Sequence, residues 1–207
     1  GLENTVSGAG GIILGRKNKA YAIPEDEGTI IIGYQSSATG ANDKQILIGN
    51  NLSAASDEAI NIGHDNVVFG SNSAGEQAAI SIGKSNILRT SRVTNSIQLG
   101  HSLKSPMNLG TATALEGNLM LGNDLIVSGI TNRVFGYNSV ISGAVAPGSM
   151  NNTLIGSGSV IQGRAVDSSI LIGTMSMLSA DNSIVIGNRN ALSGSANVAA
   201  AQAKQQV

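Results

Sequence analysis

Few residues in this 207-residue chain are of a type that does chemistry. His64 and His101 each directly follow a glycine, in INIGH (60–64) and IQLGH (97–101). Two imidazoles at equivalent positions could share a metal ion or titrate near neutral pH. No cluster of carboxylates accompanies them, and the same position elsewhere holds Arg16, Tyr34, Asn50, Lys84, Asn123 and Tyr137. It reads as a permissive polar turn. GSGSVIQG (156–163) has the glycine density of a phosphate-binding loop, but lacks the GK[ST] ending and a following helix. Serines are many, yet none pairs with a histidine in a nucleophile setting. Cysteine is absent, which excludes thiolate chemistry and disulfide staples. The expectation is a protein that is not an enzyme, with no catalytic residue, metal ligand or cofactor.

What must position any other kind of site is a repeat. The phrase apolar–any–apolar–glycine, or a close variant, occurs eleven times, including IILG (12–15), IIIG (30–33), ILIG (46–49), LMLG (119–122), ILIG (170–173) and IVIG (184–187). The closing glycines are spaced by 14 to 22 residues, with 14 the recurrent minimum. A fixed minimal period with insertions signals stacked units, not a globular core. A second, more polar phrase follows each glycine, as in YQSSATG (34–40) and YNSVISG (137–143). Each unit therefore holds two short strands joined by turns rich in Gly, Asn, Ser and Asp. The 27 glycines would cost about 1 kcal/mol each inside helices, and the dominant isoleucine and valine suit strands. The predicted fold is all-β, a parallel solenoid in which every strand pairs with its copy in the next coil.

Side chains alternate along a strand, so the two outer apolar residues of each phrase share a face. That face is expected to fill the coil interior. The middle residue then points outward. It is apolar in eight units, Ile13, Ile31, Leu47, Met120, Val134, Leu154, Leu171 and Val185. A strand apolar on both faces is buried on both. These eight residues are therefore expected to seal a self-association interface. The exceptions, Asn61, Ser81 and Gln98, fall in three consecutive units. They are expected to form a polar layer on the same interface, holding water or an ion.

The unit NSIVIGNRNALSGS (182–195) resembles the head repeat of trimeric autotransporter adhesins, the YadA-like family. EAINIGHD (58–65), AAISIGKS (78–85), SSILIGTM (168–175) and YQSSATG (34–40) carry the same resemblance, which covers roughly residues 4–195. The family's second strand has small residues where this chain has Leu125, Ile126, Val140, Ile141, Val160 and Ile161. The resemblance implies a left-handed β-roll of about eleven coils over residues 1–195, three chains around one axis, and a neck, stalk or tail beginning at 196–207. It also implies a bacterial cell surface, with an outer-membrane anchor in segments outside this chain. The implied partners are the chain itself and a host surface or matrix protein: collagen, fibronectin, laminin or a carcinoembryonic-antigen-like cell-adhesion molecule. The chain reads as an excised head, lacking export signal, stalk and anchor. A structural β-roll of a bacteriophage tail fibre, or a non-binding spacer, remains the alternative.

Composition bounds these readings. Net charge is −1, with 12 Lys and Arg against 13 Asp and Glu, so no basic footprint for nucleic acid exists. Glycine interrupts every apolar run well short of the ~20 residues of a transmembrane helix. Aromatics are 2% of the chain. Ligand sites concentrate on loops carried by rigid scaffolds. The first candidate is therefore the insertion at 16–29, with Lys17, Lys19, Tyr21, Glu25, Asp26 and Glu27. The second is the insertion at 101–118, where Leu103, Met107 and Leu109 could offer an exposed apolar anchor.

Overall fold

The computed structural model describes residues 2–7, 11–21, 28–39, 44–55, 58–70, 79–90, 93–105, 115–143, 150–163 and 166–193. These residues form a β-solenoid built from two stacked parallel sheets of eleven and twelve strands, with one further two-stranded pair. The eleven-stranded sheet is made of the glycine-closed phrases, such as Ile30–Tyr34, Ile46–Asn50, Ala79–Lys84 and Ile170–Thr174. The twelve-stranded sheet is made of the second phrases, such as Lys19–Tyr21, Ser37–Thr39, Val67–Gly70 and Val160–Gly163. The chain alternates between the two main sheets, so each strand pairs with the next strand of its own sheet, one coil on. Short β-branched strands that could not stand alone are thereby stabilised by copies on either side.

Register is set by the glycines. Gly15 pairs with Gly33, Gly33 with Gly49, Gly83 with Gly100 and Gly156 with Gly173. A Cβ on Gly33 would lie 1.7 Å from the Gly49 carbonyl oxygen, and one on Gly83 1.7 Å from that of Gly100. No side chain fits this column, and φ there is also positive, +155° at Gly33 and +135° at Gly83. Two residues later the chain turns through a left-handed position, occupied by Lys17 (φ 58°), Gln35 (φ 52°), Asn51 (φ 53°) and Asp65 (φ 55°).

The next side chain points inward and is polar in most coils. Asn18, Ser36, Asn66, Asn86, Ser139, Ser159 and Ser176 are all buried. They form ladders from coil to coil. Asn66 Nδ2 donates to the Ile62 and Gly83 carbonyls at 3.0 and 3.1 Å, while its Oδ1 accepts from Asn86 N at 3.0 Å. Asn86 Oδ1 in turn accepts from Leu103 N at 3.1 Å. A second ladder lines the opposite corner, where Asn132 N donates to Asn118 Oδ1 at 2.8 Å and Ser169 N to Asn152 Oδ1 at 3.0 Å. Backbone groups buried at the corners are satisfied in this way.

The core lies between the sheets and takes the middle side chain of each long strand, with Ala59 and Ala79 at strand starts and Leu52, Leu103 and Leu125 at the corners. Ile31, Leu47, Met120, Val134, Leu154 and Leu171 are fully enclosed, Val185 is 5% exposed and Ile13 is half-buried. They face Ala38, Val68, Leu88, Ile141, Ile161 and Leu178 from the other sheet. This reverses the expected facing. Ile13, Ile31, Leu47, Met120, Val134, Leu154, Leu171 and Val185 fill the interior of their own coil and do not line a surface between chains. The outer apolar residues point away from the core. Strand parity shows it directly: Ala59 and Asn61, Ala79 and Ser81, and Ser96 and Gln98 are buried at alternate positions of their strands, so the residues between them face out.

Candidate functional site

Three surfaces follow from this architecture. The first is the outer face of the eleven-stranded sheet. Ile12, Leu14, Ile32, Ile48, Ile82, Ile155, Ile172, Ile184 and Ile186 are all exposed there, from 37% for Ile82 to 56% for Leu14. The parallel register stacks them, Ile32 on Ile48 and Ile155 on Ile172. At a strand spacing of about 4.8 Å, eleven strands extend this apolar row over roughly 50 Å. Monomeric proteins rarely expose so continuous a patch unless it meets a partner.

The second surface is the corner after the closing glycines. The step from long to short strand has constant length there, as in Tyr34 to Ser37, Lys84 to Ile87 and Ser157 to Val160. Glu3, Lys17, Lys19, Gln35, Ser36, Ser37 and Asn51 line a shallow groove of about 530 Å³ on it. Lys17 Nζ lies 3.7 Å from the Glu3 carboxylate, and both are exposed, so the pair contributes at most about 1 kcal/mol. Further along, Asn51 Nδ2 donates to Asp65 Oδ1 at 2.6 Å, and His64 Nδ1 lies 2.8 Å from Asp65 Oδ2. His64 and His101 stand in one row, but Lys84 is register-paired with each and separates them. An ammonium between two imidazoles opposes cation binding. Among the described residues no group of three His, Cys, Asp or Glu side chains could hold a metal ion.

The third surface is the edge that carries the insertions. Variation in coil length falls between the end of a short strand and the start of the next long one. Two insertions border one another: Val93–Thr94 pairs with Leu115–Glu116 outside the main sheets. Ile130, Met150 and Asp167 form bridges along the same edge.

The sequence-based site residues divide accordingly. Lys17 sits in the constant corner, while Lys19 and the 46%-exposed Tyr21 lie on a strand of the twelve-stranded sheet, so none of the three is on a free loop. Lys17 and Lys19 do share the groove. Glu25, Asp26, Glu27, Met107 and Leu109 lie outside the described residues. Leu103 is fully buried and packs in the core, which corrects its assignment as an exposed anchor: it occupies the inward corner position that Asn86 holds one coil earlier. The outward apolar residues were expected in the coil interior, although the polar–apolar–polar strand SAT (37–39) signals that middle residues face in. No helix among the described residues is long and apolar enough to cross a membrane. No protein-family model, curated protein or solved structure matches this chain.

Proposed function

We propose that this chain is the head of a trimeric autotransporter adhesin, attaching a bacterium to host cell-surface or extracellular-matrix proteins. In this reading each chain is a left-handed roll of about eleven coils. Three chains pack around one axis through the outward residues of the long strands, Ile32, Ile48, Ile82, Ile155 and Ile172 among them. An outer-membrane anchor lies in segments outside this chain. The observation that carries the proposal is the continuous row of outward apolar side chains on a fold that already has its own core between the sheets. A solenoid needs no such row to fold, so the row needs another cover. The resemblance of the repeats to YadA-like heads supplies the adhesive role.

Recognition would fall to the remaining surfaces, the Lys17–Lys19 groove and the insertion edge. Three copies of each site per head would raise apparent affinity by avidity. The test is binding of the purified chain to immobilised collagen, fibronectin, laminin and carcinoembryonic-antigen-like ectodomains. The adhesin reading expects saturable binding to at least one, weakened by at least about tenfold in a variant that cannot trimerise. A trimer that binds none of them would favour a spacer or a tail-fibre segment.

A further inference from the structure

The core is not apolar throughout. Asn61, Ser81 and Gln98 occupy the inward middle positions of three consecutive long strands, and register pairs Ser81 with both of the others. Their exposures are 0%, 0% and 1%. The layer falls where the core divides, between a cluster running from Ala20 to Leu88 and one running from Leu103 to Val185. The side-chain amide donors in this layer are used. Asn61 Nδ2 donates to the carbonyls of Ser53 and Asn66 at 3.2 and 3.3 Å. Gln98 Nε2 donates to Ser105 Oγ at 3.1 Å and lies 3.4 Å from the Ile87 carbonyl. The oxygens are not used: Asn61 Oδ1, Ser81 Oγ and Gln98 Oε1 have no hydrogen-bond partner. An unmet buried polar atom costs about 1–3 kcal/mol.

We propose that this layer is an internal binding site for ordered water, shared by Asn61 Oδ1, Ser81 Oγ and Gln98 Oε1. The two amide oxygens ask for hydrogen-bond donors and the Ser81 hydroxyl for a partner of either kind, and water both donates and accepts. None of the three oxygens bonds another, so direct contact between neighbouring strands does not satisfy them. A water making bonds of about 2.8 Å to two oxygens can bridge atoms that are too far apart to bond directly. In this arrangement one water bridges Asn61 and Ser81, and a second bridges Ser81 and Gln98. A metal cation fits less well. None of the described buried residues is a carboxylate, so its charge would stand in the core against neutral oxygens alone.

The test is a high-resolution crystal structure of the native chain from crystals soaked in rubidium chloride, with the Ser81→Ala variant treated in parallel. Expected are density peaks within hydrogen-bond distance of the three oxygens, without rubidium anomalous signal. Ser81→Ala keeps the fold and weakens or empties the peaks beside position 81. An anomalous peak in the layer would overturn the proposal in favour of a cation site. A layer without density in the native chain, or peaks unchanged in Ser81→Ala, would overturn it as well.

Discussion

At the scale of single residues, the fold is held by positions with one acceptable occupant. The glycine column is the strictest. In Gly83→Ala the new Cβ must displace the Gly100 carbonyl, which would lie 1.7 Å away, at a φ of +135° that L-residues rarely adopt. Such strain alone costs of order 1–3 kcal/mol, and the clash adds to it. Gly158→Ala is the control: its φ is +61°, its Cβ would meet only Met175 Cγ at 3.7 Å, and the equivalent corner position holds Asn138 and Arg189. Urea unfolding should show Gly83→Ala destabilised by more than about 2 kcal/mol and Gly158→Ala by about 1 kcal/mol. Equal effects would show that stacking does not require the column. The corner ladders make a second prediction. Asn66→Ala strands the buried Asn86 N and the Gly83 carbonyl, and should cost about 1–3 kcal/mol by the same measurement. The glycines were legible in the sequence because they recur at the end of an apolar phrase. The inward-pointing Asn and Ser were not. They sit in turns, where such residues usually bond their own backbone, and only stacking turns them into ladders.

At the scale of the strand, the determining feature is parity. Adjacent residues of one strand do opposite work. Leu154 is fully enclosed, whereas its neighbour Ile155 is 41% exposed on the outer face. Leu154→Ala should cost the single chain about 2–5 kcal/mol, since it opens a cavity in a core one side chain deep per strand. Ile155→Ala should leave the melting temperature of a dilute, dissociated chain nearly unchanged and weaken only assembly. Thermal unfolding at two protein concentrations separates these effects. If the two substitutions destabilise the dilute chain equally, the parity assigned to this strand is wrong. Strands, turns, parallel stacking and a long apolar stripe could all be read from the eleven phrases. Which residues form the stripe could not be read from those phrases alone, because ILIG and IIIG are apolar on both faces. The second phrase breaks the tie. In Ser37–Thr39 only the central Ala38 is apolar and it is buried, so the centre faces in, and the buried middle residues Ile31 and Leu47 of the long strands join it in one core cluster.

At the scale of the whole molecule, the solenoid separates its tasks by surface. The interior is closed, one corner has constant length, one edge absorbs the insertions and one sheet face is apolar. Segments 22–27 and 106–114 lie outside the described residues, between described strands. Shortening either should leave the unfolding transition within a few degrees of native, because loop length contributes only slowly to stability. Adhesion should fall at least tenfold for one of the two if the insertion edge carries recognition. Undiminished binding by both would move the site to the groove at Lys17 and Lys19. Insertion sites were visible in the sequence as departures from the 14-residue minimum. That they share one edge was not, since only the constant corner reveals where each coil tolerates extra length.

The most direct test of the account is the mass of the native chain in solution by sedimentation equilibrium, measured beside Ile48→Asp and Ile172→Asp. Both residues are outward on the apolar row, 38% and 37% exposed in the single chain. Burying three carboxylates near one axis would cost several kcal/mol each. The account predicts three times the chain mass of 20.9 kDa for the native protein. It predicts a folded, β-rich monomer for each variant. A native chain that stays monomeric at tens of micromolar with its isoleucine row in water would contradict it.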